Sequence, residues 1–267
     1  MNGWLTNSEI AHAVADSPES EFTVTGTVLK GRGDNHWDAV TIHNPAVYFI
    51  NGKYYMFYMG NNDGMAATQR IGLAVSERPE GPYKRISDKK PILDVSADKK
   101  DWDSYITTNP ALLYDEGKYM LYYKAWDRYG DGKRKMGLAI ADRIDGEYRK
   151  YSDNPIINFK GIGKQSEDAC VFKYKNKYYM LMRDMGVYSK RSGLMMESDD
   201  GVHWSKPLIG YEKANHYFHD GRNRFERPQI LMKNGKPEYL FLAVQGGKYN
   251  TSTGGILKIE NWSEQYE

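Results

Sequence analysis

The chain has 267 residues and a mass of 30.7 kDa, enough for one large domain or two small ones around a sizeable core. Thirty-seven Lys and Arg stand against 35 Asp and Glu, a net charge of +2 scattered along the chain, which excludes a nucleic-acid binder working by bulk charge. With a mean hydropathy of −0.73, no apolar run of 18 residues, and a single cysteine, Cys170, neither a membrane span nor a disulfide framework nor a CxxC metal site is expected.

The first residues, Met1 to Thr6, lack a basic segment followed by an apolar one. That predicts a cytoplasmic chain as given, or a periplasmic or secreted one where a leader precedes it. Residues 8–30 match the third and fourth strands of a repeating unit, with no hairpin before them. Four hairpins follow. Asn44-Pro45-Ala46-Val47-Tyr48-Phe49 runs through Asn51-Gly52 into Lys53 to Tyr58. Asn109-Pro110-Ala111-Leu112-Leu113-Tyr114 runs through Glu116-Gly117 into Lys118 to Tyr123. Asp168-Ala169-Cys170-Val171-Phe172 runs through Lys175-Asn176 into Lys177 to Met182. Arg227-Pro228-Gln229-Ile230-Leu231 runs through Asn234-Gly235 into Lys236 to Phe241. Each is an apolar run, a tight polar turn and a Tyr-rich run, which is a hairpin signal.

A third strand follows each hairpin: Ile71 to Val75, Met136 to Ile140, Ser192 to Met196 and Gly255 to Ile259. A fourth is expected to close each unit. Units of this size repeated along a chain predict an all-β, five-bladed β-propeller in a single domain over 1–267. The inner strands of the first blade are absent and expected upstream of Met1. The high aromatic content of 13%, with 22 Tyr and 6 Trp, suits strands. It also suits sugar rings, whose C–H faces stack on aromatic side chains.

In a propeller the residues opening each inner strand converge on one channel mouth. Here they are His43 and Asn44, Thr108 and Asn109, Glu167 and Asp168, and Glu226 and Arg227. Trp37, Asp38, Trp102, Tyr217, His219 and Asp220 lie in the segments just before them. Any one carboxylate at a strand start serves as well for a cap or turn. Recurrence at equivalent positions argues for a shared site, where clustered acids divide acid and base roles. Glu167, Asp168 and Glu226 can fill those roles, and His219 beside them is a general acid, a substrate-binding group or a loop residue holding backbone carbonyls. Trp37, Asp38, His43, Asn44, Asn109, Glu167 and Arg227 are the candidate sugar-binding set. No ligand spacing demands a metal, so no cofactor is expected, and a channel Ca²⁺ stays open. Cys170, within an inner strand, reads as a small core hydrophobe.

The Asn-Pro-Ala strand starts, the Gly52 to Tyr58 second strand and the Ile71 to Ser76 third strand resemble the five-bladed propeller glycoside hydrolases, which include families 43, 32, 68 and 117. The likeness runs over essentially the whole chain. Family 43 typically carries an Asp where this chain has Asn109 or Thr108. Family 117, the α-1,3-neoagarooligosaccharide hydrolases, is the nearer likeness. Asp168 (or Glu167), Glu226 and His219 match its acidic pair and its His in order and approximate spacing, with Phe225 to Leu231 alongside. The resemblance implies an inverting, exo-acting glycosidase for an α-linked sugar. Glu226 and Asp168 would orient the sugar and tune the acid, and His219 would protonate the leaving oxygen. The family's blade-one Asp, its base, has no match. A truncated or inactive propeller that binds carbohydrate is the alternative, and an interaction scaffold a third. The implied partner is an oligosaccharide, with no nucleic acid or membrane; the oligomeric state and the identity of the sugar stay open.

Overall fold

The computed structural model describes residues 3–220, 222–247, 250–260 and 262. The chain divides into two compact units, Met1–Pro155 and Ile156–Glu267.

The first unit opens with a helical turn, α1 (Gly3–Thr6), and three antiparallel sheets follow. The first pairs β1 (Ile10–Val14) with β2 (Thr23–Leu29) and has only these two strands. The second runs in chain order through β3 (Thr41–Ile50), β4 (Lys53–Asn61), β5 (Arg70–Ser76) and β6 (Lys84–Arg85). The third repeats this plan with β7 (Ile106–Asp115), β8 (Lys118–Trp126), β9 (Lys135–Ala141) and β10 (Arg149–Lys150). The two-stranded sheet is the outer half-blade expected from residues 8–30.

The second unit holds β11 (Ser166–Tyr174), β12 (Lys177–Asp184), β13 (Gly193–Ser198) and β14 (Leu208–Tyr211) in one sheet. A short helix, α2 (Ala214–Tyr217), leads to β15 (Arg222–Lys233), β16 (Lys236–Gly246) and β17 (Thr251–Lys258). This last sheet has three strands among the described residues, where four were expected.

The hairpins form where the turn residues allow them. Asn51-Gly52, Glu116-Gly117 and Asn234-Gly235 all take positive φ at both positions, the conformation a two-residue turn needs to match the strand twist. Pleated Tyr, Leu and Met then bury the strands. Phe57, Ile71, Leu73, Leu112, Leu121 and Tyr123 form one core of the first unit. Phe172, Leu181, Met195, Phe225, Leu240 and Val244 form the core of the second, with Cys170 buried among them. Burial pushes the Cys170 thiol up to about 11, so it packs as an inert apolar group.

A repeated latch ties the outer strands of the first unit together. Asp38 is 0% exposed. Its carboxylate accepts from Arg32 Nε at 2.7 Å, Arg85 Nε at 2.6 Å and Tyr58 Oη at 2.9 Å. Trp37 stacks on the Tyr58 ring at 5.9 Å. One repeat later, Asp103 accepts from Tyr123 Oη at 3.0 Å and pairs with Lys150 at 2.6 Å, while Trp102 stacks on Tyr123 at 5.6 Å. Both rings need a glycine opposite. A Cβ at Gly72 would lie 2.3 Å from the Tyr58 ring, and one at Gly137 would lie 2.7 Å from Trp102 and Tyr123. The Trp-Asp pairs are thus blade anchors: the Asp pins a strand of only two residues, β6 or β10, that has few ladder bonds of its own.

These phenols set a pH limit. Burial first, and the adjacent Asp carboxylate second, push the Tyr58 and Tyr123 hydroxyls far above the ordinary value; burial does the same for Tyr148. An acid whose folded pKa is raised contributes stability below its unfolded value, near 10 for tyrosine, and loses it as pH rises beyond that. The urea midpoint is expected to hold up to about pH 9 and to fall steeply between about pH 10 and 11. Tyr58→Phe should reduce that alkaline drop; an equal drop in the variant would assign it elsewhere.

Candidate active site

The inner strands share one irregularity. The ladder skips between His43 and Ala46, Thr108 and Ala111, Glu167 and Cys170, and Glu226 and Gln229. Within each skip one residue is left-handed: Asn44 at φ 49°, Asn109 at 51°, Asp168 at 60° and Arg227 at 51°. Asn and Asp tolerate this conformation because their short polar side chains bond locally. Such bulges re-aim side chains beside functional sites. The preceding residues, His43, Thr108, Glu167 and Glu226, are therefore equivalent, so Glu226 corresponds to Glu167 and Asp168 to Arg227.

In the second unit these positions converge. Arg183, on β12, sits opposite Glu167 in the ladder. Its Nη1 lies 3.1 Å from Glu167 Oε2 and 2.6 Å from Glu226 Oε1. Arg224 approaches Glu226 Oε1 at 3.1 Å, and Arg227 approaches its Oε2 at 3.6 Å. The Arg227 backbone N–H donates to Asp168 Oδ2 at 3.3 Å. Three carboxylates and three guanidiniums thus interlock on two adjacent sheets. Below them Tyr211 is buried edge-on against Phe225. Burial first, then the negative field of Asp168, hold its hydroxyl well above its usual range, so it stays a neutral phenol. Next to Arg183, Asp184 accepts backbone N–H bonds from Gly186, Val187, Tyr188 and Ser189. That carboxylate organises the β12–β13 loop.

His219 lies on the exposed stretch between α2 and β15, with Asp220 exposed beside it. In the first unit, Asn44 Nδ2 and the Asn109 backbone N–H both donate to the Met59 sulfur at 3.2 Å, which brings the two bulges together. His43 Nε2 is 3.3 Å from Gln69 Nε2, and its ring meets Trp4 edge-on at 6.0 Å. Trp37 and Asp38 belong to the buried latch. Among the described residues no cluster of His, Cys, Asp and Glu has the arrangement to hold a metal ion.

Arg183, Arg224 and Tyr211 were missed from the sequence. Arg183 follows the apolar run of β12, one residue before its end, and the available signal was a charge there opposite a Glu. Tyr211 lies on a fourth strand that has no repeat signature.

No protein-family model matches the chain. It is 24% identical over 240 residues to an extracellular endo-α-(1→5)-L-arabinanase of Bacillus subtilis (strain 168), covering 82% of this chain and 48% of that protein. The chain spans about half the length of the curated arabinanases it matches. A family 117 glycoside hydrolase of the marine bacterium Zobellia galactanivorans superposes with a TM-score of 0.68 at 19% identity, covering 88% of this chain and 64% of that one. A thermostable family 43 glycoside hydrolase superposes with a TM-score of 0.66 at 18% identity, covering 91% and 80%. The repeated sheets, the four equivalent bulges and these superpositions identify the chain as a β-propeller of the fold shared by the family 43 and family 117 glycoside hydrolases.

Proposed function

We propose that the chain cleaves glycosidic bonds of oligo- or polysaccharides, inverting the anomeric centre and acting from the chain end on an α-linked sugar. The observation that carries this reading is the interlocked Glu167, Asp168, Arg183 and Glu226 cluster at the inner-strand bulges. Glycoside hydrolysis needs carboxyl groups held in fixed places beside the scissile bond. Arg183 supplies that fixity here, because one guanidinium ties two strands' carboxylates with charge-assisted bonds. Asp168 and Glu226 orient the sugar and set the field in which His219 protonates the leaving oxygen. The candidate hydroxyl-binding groups are His43, Asn44, Asn109, Glu167 and Arg227.

The test is chromatography of products from arabino- and agaro-oligosaccharides, with proton NMR of the first anomer released. Monosaccharide appearing alone, with inverted configuration, is expected. A ladder of internal fragments would contradict exo action. His219→Ala is expected to slow cleavage of an alkyl-linked sugar by about 10²-fold or more, and to leave an activated aryl glycoside nearly unaffected, because a good leaving group needs no proton. Equal losses on both substrates would remove His219 from the acid role.

A second reading, carbohydrate binding without turnover, is favoured by one observation: Asp38 and Asp103, the acids three residues before the first unit's two inner strands, are both buried and paired in the latches, away from a role as base. Glycan binding with no product would select it.

A further inference from the structure

Arg227 stands where the other three inner strands place Asn or Asp. It holds φ 51°, a conformation that a long side chain adopts only at a cost of about 1–2 kcal/mol. Nothing in the turn geometry calls for arginine there, since Asn44, Asn109 and Asp168 make the same bulge. Its side chain is 40% exposed, and that of Arg224, three residues earlier, is 37% exposed. The Arg227 Nε is buried with no hydrogen-bond partner among the described residues, and the Arg224 Nε, also buried, meets Glu226 Oε1 at 3.1 Å in poor hydrogen-bond geometry. Glu226 does not saturate them: its short contact, 2.6 Å, goes to Arg183, while Arg224 and Arg227 stand at 3.1 and 3.6 Å. Two guanidinium forks, half-open to solvent beside a candidate catalytic carboxylate and short of partners, match the bidentate geometry of an oxyanion.

We infer that Arg224 and Arg227 form an oxyanion subsite beside Glu226. The ligand is either inorganic phosphate or the carboxylate of an acidic sugar unit. The inference rests on the reading of this cluster as the substrate site. In the phosphate case a phosphate oxygen bonds to C1 as the glycosidic C1–O bond breaks. The leaving oxygen takes the acid's proton, and the product is a sugar 1-phosphate, with no base needed to activate water.

The experiment is calorimetric titration of the full chain with inorganic phosphate and, separately, with galacturonate, without any glycan. Saturable binding of one of them is expected, weakened at least about tenfold in both Arg224→Gln and Arg227→Gln. It should be unchanged in Arg149→Gln, which removes an exposed positive charge from the first unit. Arg224→Lys, which keeps charge but loses the fork, should bind more weakly than wild type; it also secures the test should Arg227→Gln not fold. Sugar 1-phosphate formed on adding phosphate to glycan marks the phosphate case. A preference for uronate-containing over neutral oligosaccharides marks the sugar case. No saturable binding of either anion, or binding unaltered in both Gln variants, overturns the inference. Cleavage of neutral glycans without oxyanion binding removes the subsite and leaves the hydrolase reading standing; oxyanion binding without cleavage does the reverse.

Discussion

Glu226→Gln is expected to lower the rate of glycan cleavage by about 10²- to 10⁴-fold while leaving the affinity for the sugar within roughly a few-fold. The substitution keeps the side chain's shape and removes its charge. Glu226 has Arg183, Arg224 and Arg227 around it. A group that acts on the transition state lowers kcat when lost, whereas one that only binds substrate raises KM. The change also leaves the nearly buried Arg183 with Glu167 as its remaining carboxylate, which is expected to cost some stability. Activity must therefore be read well below the unfolding midpoint. Calorimetry of the variant beside its kinetics separates the effects. Lost activity in a protein that is still folded at the assay temperature is expected. Full activity in the folded variant would mean that Glu226 only holds the fold.

Asp38→Asn is expected to destabilise the first unit by about 3–5 kcal/mol, because it strips the shared anion from two nearly buried guanidiniums. Arg32 and Arg85 are 12% and 13% exposed, against 0% for Asp38. The thermal midpoint should fall by on the order of 10 °C. Asp103→Asn should cost less, since the cation paired with it, Lys150, is 28% exposed and can turn to water. Tyr58→Phe removes one hydrogen bond and should cost about 1 kcal/mol. Differential scanning calorimetry of the three variants checks the ranking. Equal costs for Asp38→Asn and Asp103→Asn would contradict the account of the latch.

The repeat was legible because its signals are local. Asn44, Asn109, Asp168 and Arg227, at which the four hairpins begin in the sequence, are the four left-handed residues of the four bulges. Turn chemistry and the period-2 Tyr and Leu pattern placed the inner three strands of each complete blade. The outermost strands were harder to read. Two of them, β6 and β10, are two residues long, too short for any periodicity. For the same reason Trp37 and Asp38 resembled site residues: their partners, Arg85 on β6 and Tyr58 on β4, meet them only through sheet pairing. The acidic side of the candidate site was visible as carboxylates at strand starts. Of its cationic side Arg227 was visible in the same way, but Arg183 and Arg224 were not, because they acquire meaning only once β12 and β15 lie side by side.

The central claim is that the Glu167, Asp168, Arg183 and Glu226 cluster does chemistry on sugars. Its most direct measurement follows glycan affinity and product release together, on one panel of α-linked oligosaccharides, for the wild-type chain and for Glu226→Gln. The account predicts that both proteins bind the same oligosaccharide and that only the wild type releases sugar at an appreciable rate. Equal release by the two folded proteins, or a wild-type chain that neither binds nor cleaves any member of the panel, would contradict it.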